Sequence, residues 1–138
     1  MSVRKDAGFT LVEIMIVLVI LASLAAILSQ TVIGGLDKAR VNEAKLQMSQ
    51  FGKALDMYNI DCGRFPNTEE GLAALAPGGE STCSSWGPEP YARKIPKDPW
   101  GNDYVYESDG GEYTITSFGK KGKPGGKDYE EDIVYPEE

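Results

Sequence analysis

Gly8-Phe9-Thr10-Leu11-Val12-Glu13 opens a run that continues Ile14-Met15-Ile16-Val17-Leu18-Val19-Ile20-Leu21-Ala22-Ser23-Leu24-Ala25-Ala26-Ile27-Leu28-Ser29-Gln30-Thr31-Val32-Ile33-Gly34-Gly35-Leu36, with no charge between Glu13 and Asp37. At about 1.5 Å of rise per residue, the uncharged stretch forms a helix roughly 35 Å long, enough to cross the hydrocarbon core of a bilayer with some tilt. A secretory signal would carry a shorter apolar core with a small-residue cleavage site on its far side. Here the small residue, Gly8, stands before the run. Arg4 and Lys5 on the short preceding flank predict that this end stays in the cytoplasm and that everything after Leu36 is exported.

Glu13 is the anomaly in this stretch. An ionisable side chain on an apolar helix costs about 2.5 to 3.5 kcal/mol near the bilayer centre and less towards the interface. Either Glu13 marks the helix end at headgroup level, or it has a partner and a role.

Gly8 before an aromatic, Glu13 five positions into the chain that follows, a short basic leader and a long uncharged helix together resemble the processing site of type IV pilin-like proteins. The resemblance implies a leader over residues 1–8, cleavage between Gly8 and Phe9 by a prepilin peptidase, and N-methylation of Phe9. It divides the rest into a transmembrane and assembly helix over 9–36 and a periplasmic globular domain over 37–138. Cleavage would create a cationic amine at Phe9, close to where a neighbouring subunit's Glu13 could lie. A carboxylate facing an ammonium is tolerated in apolar surroundings where an unpaired one is not. On this reading Glu13 sets register between subunits.

The 138 residues suit one anchor and a single small domain. A formal net charge of -7 and the lack of a basic stripe argue against a nucleic-acid partner. With no histidine, the commonest general base and zinc ligand are missing, which disfavours a membrane-anchored enzyme. Cys62 and Cys83 fall in the exported part, where oxidation is permitted, and read as one disulfide rather than two free thiols.

Beyond Asp37 the helical period continues. Val41, Ala44, Met48, Phe51, Leu55 and Tyr58 recur at spacings of three and four, one face of an amphipathic helix. One long helix is expected from about Thr10 to Asn59, interrupted by the flexible pair Gly34-Gly35, with Gly63 as its stop. Asn67 and Glu70 have capping-box spacing and open a short helix that ends before Pro77. Tyr104-Val105-Tyr106 and Tyr113-Thr114-Ile115-Thr116 read as strands around a hairpin turn at Asp109-Gly110-Gly111, with a third strand near Ile133 to Tyr135. A long helix on a small antiparallel sheet gives an α+β head, and the resemblance implies that this head has the type IV pilin-like fold.

Ala54-Leu55-Asp56-Met57-Tyr58, then Gly63 to Leu75, then Pro96-Lys97-Asp98-Pro99-Trp100-Gly101-Asn102-Asp103-Tyr104 are similar to the major pseudopilins of type II secretion systems. This resemblance implies a self-associating periplasmic pseudopilus that drives exoproteins across the outer membrane. Its implied partners are minor pseudopilins, an inner-membrane assembly platform, the prepilin peptidase and membrane lipid. The alternatives are a pilin of an adhesive or motility pilus, or a minor pseudopilin. The Gly and Pro usual within the family's apolar helix correspond here to Ala22 and Gln30, which leaves the place of any melted segment open.

The resemblance also implies a calcium loop near the C-terminus, with Phe118, Asp128, Glu130 and Asp132 as its corresponding residues. Where the family has an aspartate in a Gly-x-Asp-Gly turn, this chain has Gly119-Lys120-Lys121-Gly122. A protonated lysine cannot ligate a cation. Lys121 replacing the ion, by pairing with Asp128 or Asp132, is the first expectation, and retained calcium the second.

Overall fold

The computed structural model describes residues 8–137, with only the helical backbone given for residues 29–33. Of the expected leader, only Gly8 lies among the described residues. The chain divides into two compact units, Met1–Leu36 and Asp37–Glu138.

The helix α1 runs Leu11–Cys62. Its start is set by Thr10, whose Oγ1 accepts a hydrogen bond from the Glu13 amide at 3.2 Å, satisfying one of the donors that a helix N-terminus leaves open. Its end is set by Gly63, which takes a left-handed φ of 71° and donates its amide to the Asn59 carbonyl at 2.8 Å. The interruption expected at Gly34-Gly35 is absent, and both glycines are helical. Each costs about 1 kcal/mol relative to alanine, but ending and restarting the helix there would incur the larger cost of a new nucleus.

In the second unit, the expected stripe is the core. Ala44, Met48, Phe51, Leu55 and Tyr58 are buried, and Val41 packs against them. Facing elements add Leu72, Ala74, Leu75, Tyr106, Ile115 and Ile133. The sheet is an antiparallel meander of β1 (Val105–Ser108), β2 (Tyr113–Ser117) and β3 (Ile133–Tyr135), in the order β1-β2-β3. Register pairs Tyr106 with Ile115 and Ile133 with Ser117, so alternate residues of each strand face the core. The hairpin turn is closed by Asp109, whose Oδ1 accepts the amides of Gly111 at 2.9 Å and Glu112 at 3.0 Å.

Between helix and sheet, Asn67 and Glu70 exchange two hydrogen bonds. Asn67 Oδ1 accepts the Glu70 amide at 2.8 Å, and the Glu70 carboxylate accepts the Asn67 amide at 2.9 Å. The helix expected to follow is only a short 3-10 turn, Leu72–Leu75, because Gly71 at φ 60° breaks the α conformation. Trp86 Nε1 donates to the Ala74 carbonyl at 2.7 Å, which seats the irregular 77–90 segment on this turn. A disulfide joins Cys62 to Cys83, Cα atoms 5.7 Å apart, and ties that segment to the end of α1.

The Pro99-Trp100-Gly101 turn is organised by Asp98, a residue only 4% exposed. Its Oδ1 accepts the amides of Trp100 at 3.1 Å and Asn102 at 2.8 Å, and its Oδ2 accepts the Ser117 hydroxyl at 2.7 Å. The carboxylate is thereby satisfied by neutral donors, and it pins the turn to β2.

Candidate processing and assembly site

The first unit presents an apolar surface with one acid on it. Leu11–Leu28 has a mean hydropathy of 2.9, and none of it is buried. Water would oppose such a surface at about 25 cal/mol for each Å² left exposed, so it calls for lipid or other helices. By length and composition, this is a helix able to cross a membrane. Glu13 stands on it exposed, and among the described residues no cation pairs with it.

Gly8, Phe9 and Thr10 precede the helix in irregular backbone. Phe9 is 81% exposed. The Thr10 cap thus separates two environments: the Gly8–Phe9 peptide bond lies outside the helical hydrogen-bond ladder, and Glu13 lies in its first turn. Among the described residues, a Cβ placed on Gly8 would meet nothing within 4 Å. Thr10 was not singled out from the sequence, although Thr10-x-x-Glu13 is the spacing of a capping box.

The C-terminal loop was the candidate metal site. It contains two 3-10 turns, Gly119–Lys121 and Asp128–Glu130. The Phe118 carbonyl accepts the Gly122 amide at 3.3 Å. Both carboxylate oxygens of Asp132 lie 3.0 Å from the Gly125 amide. Asp128 and Glu130 are exposed. Among the described residues, no three His, Cys, Asp or Glu side chains converge on a point that could hold a metal ion. Calcium takes about six to eight oxygens, and this arrangement does not fit it. Lys121 makes no ion pair among the described residues; of the lysines in this loop, Lys120 is the one that does, its Nζ 3.4 Å from Asp37 Oδ2.

Comparison with known proteins accords with this geometry. Residues 3–29 match the prokaryotic N-terminal methylation motif, and residues 31–136 match the family described as type II secretion system (T2SS), protein G. The chain is 42% identical over 137 residues to the type II secretion system core protein G of Pseudomonas aeruginosa, covering 96% of each chain. It is 39% identical over 141 residues to that of Vibrio cholerae, covering 96% of this chain and 92% of the relative. Among solved structures, it resembles the crystal structure of the major pseudopilin from the type 2 secretion system of enterohaemorrhagic Escherichia coli. The TM-score is 0.62 at 32% identity, over 75% of this chain and 91% of the other. With the long capped helix, the three-stranded sheet and most of its length matched, the chain belongs to the type II secretion system protein G family, the major pseudopilins.

Proposed function

We propose that this chain is cut between Gly8 and Phe9 by a prepilin peptidase and N-methylated at Phe9, and that the new amine is neutralised by Glu13 of a neighbouring copy. The family is one of structural subunits and not of enzymes. The observation that carries the proposal is the single carboxylate of Glu13 on a wholly exposed apolar helix, with no cation from the described residues beside it. Such a charge is expensive in lipid unless a partner supplies the opposite one, and a freed N-terminus four residues away in sequence is the nearest source of it. The match of residues 3–29 to the prokaryotic N-terminal methylation motif supports the cleavage reading.

On this reading the subunit sits in the bacterial inner membrane with its N-terminus cytoplasmic and residues 37–138 in the periplasm. Subunits stack through the apolar helix into a pseudopilus that moves exoproteins across the outer membrane. Minor pseudopilins and an inner-membrane assembly platform are its further partners. Glu13→Leu tests the assembly step: the variant inserts into the membrane and is processed, but filaments and exoprotein release are lost. Normal filaments from Glu13→Leu would contradict the proposal.

A further inference from the structure

We propose that the Phe118–Asp132 loop is fastened by a cation of the chain itself, the Lys120 ammonium on the Asp37 carboxylate, and that its closure requires no divalent ion. Asp37 is the first charged residue after the apolar run and is only 8% exposed. A carboxylate so buried needs a compensating charge. Arg40, on the same helix, approaches no closer than 3.9 Å. Lys120 reaches it at 3.4 Å from 83 residues away, so the contact that stabilises Asp37 also holds the loop against α1.

The rest of the loop is closed from within. Asp132 spans back to the Gly125 amide with both oxygens. A Cβ on Gly119 would stand 3.2 Å from the Glu131 carbonyl oxygen and 3.3 Å from that of Tyr129, and one on Gly126 would overlap the Glu130 carbonyl oxygen. Three carbonyls that a hard cation would otherwise recruit are therefore packed directly against glycine backbone. The charge balance agrees. Between Phe118 and Asp132 the sequence carries Lys120, Lys121, Lys123 and Lys127 beside Asp128, Glu130, Glu131 and Asp132, a formal charge of zero that becomes only -1 when Asp37 is included, less than a divalent ion would neutralise. This inference is independent of processing at Gly8 and of assembly through Glu13.

The test is amide hydrogen exchange and thermal unfolding of the full chain in detergent micelles, with calcium chloride or with a chelator. The expected result has three parts. Exchange over residues 119–127 and the unfolding midpoint are the same with millimolar calcium as with chelator. Lys120→Met speeds exchange over those residues by about ten-fold, as for loss of a charge-assisted hydrogen bond. Lys120→Arg, which keeps the charge, restores protection. Because the wild-type arm needs no substitution, it decides the matter even if Lys120→Met folds poorly. A saturable rise in midpoint or in loop protection with calcium would overturn the proposal, as would unchanged exchange in Lys120→Met.

Discussion

The Arg64 guanidinium grips Glu70 with two hydrogen bonds, Nη1 to Oε2 at 2.7 Å and Nη2 to Oε1 at 2.8 Å. The same carboxylate accepts the Thr82 amide at 2.8 Å and the Thr82 hydroxyl at 2.9 Å, as well as the Asn67 amide. Its side chain is 6% exposed, so one acid ties the end of α1, the turn after it and the segment that carries Cys83. The Arg64 guanidinium, with the Thr82 and Asn67 donors, holds the Glu70 carboxyl far below the usual carboxylate range.

A carboxyl depressed in the folded state stabilises the fold above its unfolded pKa, and that stability is lost as pH falls below it. Glu70 therefore contributes fully at neutral pH and progressively less below about pH 4.5, its ordinary value. Glu70→Gln should cost about 2 kcal/mol at neutral pH, the size of a lost charged hydrogen bond discounted for the partly exposed Arg64. Urea unfolding of both forms should show the gap narrowing as the medium is acidified. A gap that widens in acid would contradict this role.

The Cys62–Cys83 bridge closes a loop with a sequence separation of 21. Chain entropy assigns it about 3 kcal/mol. Replacing both cysteines by serine should lower urea stability by roughly that amount, with the helix content retained. Mass measurement without reductant should find the wild type two hydrogens lighter than the reduced chain; equal masses would show free thiols.

Gly52 packs under the ring of Tyr135. A Cβ there would stand 2.7 Å from the ring's Cε1 and hydroxyl oxygen, and Tyr135 is held by stacking on Tyr113. Gly52→Ala gains about 1 kcal/mol of helix propensity but incurs about 1 to 3 kcal/mol of overpacking. A net loss of about 1 kcal/mol in urea unfolding is expected, and a gain would mean that Tyr135 moves freely.

What the sequence disclosed follows the range of the interactions. The buried stripe from Ala44 to Tyr58, the stop at Gly63, the Asn67–Glu70 exchange and the Asp109 turn depend on residues within a few positions of one another, and period or spacing reveals them. Asp98 meeting Ser117 and Lys120 meeting Asp37 join positions 19 and 83 residues apart. No local pattern encodes such pairs. Lys121 was the lysine expected to act, and its neighbour is the one that reaches an acid, because the 3-10 turn at Gly119–Lys121 decides which side chain faces α1. At the proposed processing site, the aromatic after Gly8 and the acid at Glu13 stand out in the sequence, whereas the Thr10 cap between them emerged only from its hydrogen bond to the Glu13 amide.

The proposed pairing joins a freed amine at Phe9 to Glu13 of another copy. Its most direct test is intact-mass and N-terminal analysis of the protein extracted from membranes and from sheared filaments. A chain that begins at N-methylated Phe9 is expected in both fractions. A chain recovered from filaments with Met1 to Gly8 still attached would contradict it.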